Sequence, residues 1–299
     1  MTRWMLVLAV VAWPSLAAAQ TPTARSPSPM ADATRAHERL GRRELRGMRR
    51  SFAGPAGRPV ELWIPDRVRD GVDLVVHFHG AAWVAEEAAA RLRDRRTVTA
   101  VLNLGAGSGA YGRPFTDPAA FDSLLAGVAR EASAAAGRPV RIRSVTLSGF
   151  SAGYGAVRAI LREPRHFATV GAVLLLDGLH ASYVPEGSGL AAGGVLDTTN
   201  LDAFAAYARA AVRGEKRFVV THSEIFPGTF ASTTESADWL LGSLGIRRVP
   251  VLRWGPRGMQ QLSEARARGF EVLGFAGNSA PDHIDHLHAI PEFLARALR

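Results

Sequence analysis

From about Met48 onward, short runs of consecutive apolar residues alternate with longer amphipathic stretches. "RPVELWIP" and "GVDLVVHFHG" have strand character, and Gly54 to Gly57 reads as a hairpin turn joining an earlier short strand to the first of them. Thereafter strands and helices take turns. "TVTAVLNLG" precedes the helical "PAAFDSLLAGVAREASAAAG", and "VRIRSVTLSG" precedes "GYGAVRAILREP". "ATVGAVLLLDG" precedes a glycine-rich loop and "LDAFAAYARAAVRG", "KRFVVTHS" precedes "TTESADWLLGSLG", and "GFEVLGFAG" precedes "IPEFLARALR". The helix expected over Thr233 to Leu244 begins with a capping box formed by Ser232 and Glu235. Strands that are apolar throughout are buried on both faces, so the pattern predicts a mostly parallel sheet covered by helices on both sides. The expectation is an α/β protein: one doubly wound domain over residues 48–299, with a short antiparallel start and no internal repeat.

The first 47 residues break this pattern. Residues 1–19 have the three-part order of a signal peptide: Arg3, an apolar core from Trp4 to Trp13, and the small residues Ala17, Ala18 and Ala19. That apolar run is too short, and too soon interrupted by Pro14, to span a bilayer. Residues 20–47 read as a linker. "TPTARSPSPM" is a Pro/Ser/Thr-rich tether and "ADATRAHERLGRREL" a short exposed helix. An exported, soluble protein, secreted or periplasmic, with no stable membrane anchor is expected.

Composition narrows the chemistry. There is no cysteine, which excludes disulfides, thiolate metal sites, a cysteine nucleophile and a lipoprotein anchor. The formal net charge is +9, but the only concentrated basic run is "GRRELRGMRR", residues 41–50. No aromatic residues are interleaved in it, so it reads as a solvated arginine face, and no nucleic-acid partner is expected.

One stretch crowds small residues around a hydroxyl. In "TLSGFSAGYGAV", Gly149-Phe150-Ser151-Ala152-Gly153 is Gly-x-Ser-x-Gly, set between a buried strand and a helix. A strained strand-to-helix turn leaves no room for side chains two positions either side of the serine. The following helix N-terminus adds a positive dipole where negative charge would develop. "HFHGAAW", residues 77–83, ends the third strand, where this architecture places one oxyanion-hole donor; the other is the N–H after the nucleophile. Gly80 and Ala81 keep that backbone open, and the donors expected are Ala81 N–H and Ala152 N–H.

On "HFHG", "GFSAG" and the order of elements after residue 48, the chain resembles the α/β-hydrolase superfamily, in particular its secreted esterase and lipase-like members. The resemblance implies a Ser–acid–His triad in that chain order, an oxyanion hole, and no metal or organic cofactor. It places the histidine after the last strand, where "GFAGNSAPDHIDHLHAIPEFL" offers His283, His286 and His288. His283 comes first, in the part read as loop, and is the expected base; His286 is the alternative. For the acid, Asp177 ends a run of apolar residues, where a carboxylate is costly to desolvate without a hydrogen-bonding partner such as an imidazole. Glu224 is the alternative, and Asp282 is too close to His283 in sequence to orient it. A metal reading of "DHIDHLH" is disfavoured because its histidines lack the four-residue spacing of His-Glu-x-x-His.

The loops at 105–115 and 178–194 are expected to shape the pocket, with Trp83, Tyr111 and Tyr183 as candidate contacts for a small-molecule or polymer ester. The function expected is an exported serine hydrolase forming an acyl-enzyme on Ser151. A peptidase or acyltransferase would use the same site. A non-catalytic binding protein on the same fold is the reading from another class.

Overall fold

The computed structural model describes residues 44–68, 70–92 and 96–299. The expected signal peptide, and the expected linker and short helix as far as residue 43, lie outside the described residues. The sheet starts with β1 (Gly47–Ala53) and β2 (Pro59–Pro65), an antiparallel pair in which Phe52 faces Val60. Their turn falls where expected, over Pro55–Gly57, closed by Gly54 N–H donating to Arg58 O at 2.8 Å.

Strand and helix then alternate: β3 (Gly71–Phe78), α1 (Ala82–Ala90), β4 (Thr97–Leu102), α2 (Ser108–Gly112), α3 (Pro118–Ala136), β5 (Arg141–Phe150), α4 (Tyr154–Leu161), α5 (Pro164–Thr169) and β6 (Val170–Leu176). The short strands β7 (Tyr183–Val184) and β8 (Val195–Leu196) form a separate two-stranded sheet. The chain continues through α6 (Asp202–Arg213), β9 (Arg217–His222) and α7 (Thr233–Ser243). Then come β10 (Val249–Trp254), β11 (Gln260–Ala267), β12 (Phe270–Phe275), α8 (Ala280–His288) and α9 (Ile290–Ala297).

The main sheet has ten strands in the order β1-β2-β4-β3-β5-β6-β9-β12-β11-β10. The six from β4 to β12 in that order run parallel, as the continuous apolar runs predict. Successive side chains in these strands point to opposite faces. Leu74, Val76, Phe78, Val173 and Leu175 join one apolar cluster with α3, α4, α6 and α7. Val75, Leu174 and Leu176 join another with α1, α8 and α9. The sheet is therefore wound on both sides. Among the described residues no helix is long and apolar enough to cross a membrane.

Two features depart from the expectation. Helix α1, "AWVAEEAAA", is buried from Val84 through Ala89, so it has no polar face to give it an amphipathic period. The hairpin β10–β11 adds an antiparallel far edge; β10 is exposed at five of its six positions and β11 is largely polar, so neither shows a buried-strand pattern.

Candidate active site

The parallel strands deliver their C-terminal ends to one edge of the sheet. Register pairs Phe78 with Gly149, Phe150 with Leu176, Leu176 with Thr221, and His222 with Gly274. The residues just past these strand ends are therefore neighbours, although distant in sequence.

Ser151 follows β5 with φ +46°, an uncommon value for a residue with a side chain, and opens a 3₁₀ turn (Ser151–Gly153) that runs into α4. The glycines on either side answer a steric need. A Cβ on Gly149 would stand 3.1 Å from Gly153 C and Tyr154 N, and one on Gly153 only 2.1 Å from Phe78 O. The turn is thus pressed against the end of β3. Strained backbone at such a position is a recurrent property of functional turns.

Asp177 is the first residue past β6, also at positive φ (+42°), and is 2% exposed. Its carboxylate is fully engaged. Oδ2 accepts from His283 Nδ1 at 2.7 Å and from Ser223 Oγ at 2.6 Å. Oδ1 accepts from Ser223 N at 2.9 Å and from Thr233 Oγ1 at 2.7 Å. Burial works to raise the Asp177 pKa, but the imidazoles of His286 and His283 and the Ser223 hydroxyl outweigh it, holding the carboxyl well below the usual carboxylate range. An ionised Asp177 can only accept, so the hydrogen shared by the pair is carried on His283 Nδ1. The His283 side chain is 21% exposed, so it bridges the buried acid and the open edge of the site. Its ring packs against Phe150, the residue before the nucleophile, with centroids 4.5 Å apart. Gly178 completes the junction: a Cβ there would lie 2.8 Å from Ser151 O and 3.0 Å from Ser151 N.

His283 lies within α8, not in the loop expected from sequence. Pro281 near the helix start and a capping box of Ser279 and Asp282 begin the helix before it. Asp282 spends its Oδ2 on Ser279 N–H and Oγ–H, so it caps α8. His286, one turn further on, is buried and shares a 2.7 Å hydrogen bond between its Nδ1 and Thr221 Oγ1. Burial lowers its pKa to about 4. His288 is buried as well, while Glu224 is exposed and its N–H donates to Gly277 O at 2.9 Å. The structure thus pairs Asp177 with His283 beside the Ser151 turn, and leaves Glu224 out of that pairing.

The end of β3 is fastened from the side. His79 (φ +73°) and Gly80 (φ +135°) turn the chain toward α1. Asn103 brackets the second of them: Gly80 N–H donates to Asn103 Oδ1 at 2.9 Å, and Asn103 Nδ2 donates to Gly80 O at 2.9 Å. The Tyr111 hydroxyl accepts from Leu104 N–H at 3.3 Å and lies 2.6 Å from His79 Nδ1. Ala81 is the N-cap of α1, and Ala152 lies in the first turn leading to α4. N–H groups at such helix starts have no intrahelical carbonyl to bond.

Two of the expected substrate contacts need correction. Tyr111 is fully buried, because its hydroxyl serves His79 and Leu104 from beneath. Tyr183 is also buried, its hydroxyl donating to Glu235 Oε1 at 2.7 Å. Trp83 is half-buried on α1 and packs against the apolar cluster on that face. The residues that sequence reading missed are Asn103, Gly178, Ser223 and Thr233. Asn103 and Ser223 stand at the ends of apolar strands, the same signal that marked Asp177.

A β2 antiparallel to its parallel neighbours, a serine elbow after β5, a carboxylate after β6 and a histidine after the last strand define the architecture. This is an α/β-hydrolase fold. No protein-family model matches the chain, and no curated protein is significantly similar to it. Similar solved structures include a Mycobacterium tuberculosis puromycin-hydrolyzing peptidase, at 14% identity and TM-score 0.41 over 84% of this chain. The chain spans 40% of that peptidase's length. Poly(aspartic acid) hydrolase-1 from Sphingomonas sp. KT-1 matches at 13% identity and TM-score 0.46, covering 84% of this chain and 100% of that one. A truncated carbohydrate esterase from gut microbiota matches at 9% identity and TM-score 0.47, covering 87% and 100%. Among the described residues of this α/β-hydrolase fold, no three His, Asp or Glu side chains are grouped to hold a metal ion.

Proposed function

We propose that this chain is an exported serine hydrolase that cleaves a carboxylic ester through an acyl-enzyme on Ser151. The observation that supports it most is the 2.7 Å pairing of His283 Nδ1 with a buried, ionised Asp177 beside the Ser151 turn. In this reading His283 Nε2 takes the Ser151 proton as Oγ attacks the ester carbonyl. Ala81 N–H and Ala152 N–H hold the oxyanion. His283 then returns the proton to the leaving alkoxide, and water attacks the acyl-enzyme in a second, equivalent cycle. The acid end of the relay is held rigidly by Ser223 and Thr233, which suits an orienting group that stays charged throughout.

Labelling with a fluorophosphonate probe tests the reading without knowledge of the substrate. The wild-type protein is expected to label on Ser151 and to hydrolyse p-nitrophenyl acetate, and Ser151→Ala to lose both while remaining folded. Equal labelling or turnover in the two proteins overturns the proposal. Amide and acyl-acceptor substrates, run beside the ester, separate a peptidase or an acyltransferase using the same residues. Export rests on the Arg3, apolar-core and Ala17–Ala19 order of the first 19 residues. N-terminal sequencing of the mature protein checks it, with a chain that still begins at Met1 as the contrary result.

A further inference from the structure

Ten large apolar side chains are exposed among the described residues, and five of them, Val184, Leu190, Val195, Phe226 and Phe230, fall in segments 178–201 and 223–232. These segments follow Asp177 and His222 at the edge of the sheet that holds Ser151. They touch each other: Ala231 N–H donates to Ala181 O at 2.9 Å, and a Cβ on Gly189 would stand 2.4 Å from Gly228 O. They also touch the nucleophile turn through Gly178.

A line of rings leads outward from that turn. Tyr154, three residues after Ser151, meets His180 with ring centroids 5.6 Å apart, and His180 meets Phe230 edge-on at 5.2 Å. His180 Nδ1 donates to Ala231 O at 3.1 Å, which fixes the ring between the two segments. Burial pushes the His180 pKa down, so the ring is uncharged at neutral pH. Phe226 and Phe230 remain 59% and 41% exposed, more apolar surface than packing within the chain requires.

Charge narrows the ligand. The chain has 36 lysines and arginines, yet neither segment contains one. Their acids are Glu186, Glu224 and Asp197, and Asp197 is committed to Thr199 and Asn200. Arg158, whose guanidinium lies 5.4 Å from the Tyr154 ring centroid, is tied to Asn200 Oδ1 at 2.7 Å. The two segments offer an anionic substrate no lysine or arginine to offset the loss of its hydration.

We propose that Phe230 and Phe226, with His180 between them and the buried Tyr154, form a subsite for the apolar or aromatic group of an uncharged ester, extended outward by Leu190. The proposal rests on the reading of Ser151 as nucleophile. Its test uses three sets of reagents on the full chain: p-nitrophenyl esters of increasing acyl length, acetate esters of increasing alcohol length, and a half-ester of succinic acid as the anionic control. Alkyl fluorophosphonates of increasing chain length are run alongside as a substrate-free readout.

The wild-type kcat/KM is expected to rise with length in one of the two ester series, which identifies the half of the substrate that occupies the subsite. The half-ester is expected to be poor. Phe226→Ala combined with Phe230→Ala removes exposed side chains and leaves the fold intact. It should lower kcat/KM for the longest ester by about tenfold or more relative to its effect on the acetyl ester, so that the length dependence flattens. Phosphonate labelling rates should follow the same order. A kcat/KM that is independent of length in both ester series, or a double variant with the wild-type length dependence, overturns the subsite alone. No labelling by any phosphonate removes the serine reading and the subsite with it.

Discussion

His283 Nδ1 donates to Asp177 Oδ2 across 2.7 Å, although 106 positions separate the two residues in the chain. The contact exists because Asp177 directly follows β6 and α8 returns over the same edge of the sheet. Three further donors, Ser223 N, Ser223 Oγ and Thr233 Oγ1, hold the carboxylate in place whether or not the imidazole is present. Asp177→Asn should therefore leave the protein folded and lower turnover by about 10⁴-fold, because an amide no longer fixes the proton on Nδ1. His283→Ala should be as inactive. His286→Ala should keep most of its single-turnover rate but lose stability, on the order of 1–3 kcal/mol, since it removes a buried partner of Thr221. An inactive His286→Ala beside an active His283→Ala, both folded by circular dichroism, would transfer the base to His286.

The clamp of Asn103 on Gly80 leads to a second expectation. The two hydrogen bonds hold Gly80 at both its N–H and its carbonyl, and the carbonyl shares its peptide plane with the Ala81 N–H, so the clamp fixes the orientation of that donor. Asn103→Ala should lower kcat by about 10²-fold with KM little changed, the pattern of an interaction needed mainly in the transition state. Asn103→Asp should not restore it, because a carboxylate oxygen would face Gly80 O where Nδ2 now donates. A wild-type kcat in Asn103→Ala would show that Ala81 is positioned without the clamp.

The turn at Ser151 was legible in the sequence because its demands are local: Gly149 and Gly153 flank it, and both positions prove sterically closed. That Asp177 would be buried with a hydrogen-bonding partner was legible because an acid closing an apolar strand needs one. The setting of His283 was misread, although Pro281 and the Ser279–Asp282 capping box, both helix-start signals, stood beside it. Tyr111 and Tyr183 were misplaced for a different reason. Their burial depends on His79 and Glu235, which are 32 and 52 positions away. Nothing in a local window distinguishes a tyrosine that lines a pocket from one that anchors the turn beneath it. The hairpin β10–β11 escaped for lack of signal, since an outer strand with one neighbour and two wet faces has no apolar alternation to show.

Gly178 tests how closely the acid and nucleophile turns must approach. A Cβ there would press on Ser151 O at 2.8 Å and Ser151 N at 3.0 Å, both backbone atoms that can yield only by shifting the serine. Gly178→Ala should therefore cost activity more than stability. A displacement of a few tenths of an ångström to 1 Å at a nucleophile can cost about 10²-fold in rate. Gly153→Ala meets Phe78 O at 2.1 Å and should reduce stability as well, because the end of β3 must move. Fluorophosphonate labelling rates together with thermal midpoints separate the two effects. A Gly178→Ala protein that labels at the wild-type rate would show that the serine turn is looser than its contacts imply.

Acid should destabilise this protein well before its carboxylates titrate. Burial lowers His77 to about 3, and His79, His222 and His286 to about 4, with neighbouring imidazoles or Arg248 adding to the effect. In the unfolded chain all four return to about 6.5. Between roughly pH 6.5 and 4 the unfolded state therefore binds more protons than the folded one, and stability falls as pH falls. The contribution is fully present above the unfolded value and is lost as pH descends toward the folded values. Each histidine adds a slope approaching ~1.4 kcal/mol per pH unit within that window. Asp177 does not contribute there: its folded pKa is depressed, so its stabilisation is lost only below the ordinary carboxylate range. Denaturant midpoints measured from pH 7 to 4.5 should fall steadily, and replacing His286 with glutamine should flatten the fall even while lowering the plateau. A midpoint that stays level down to pH 4.5 would mean that these rings are hydrated or charged in the folded protein.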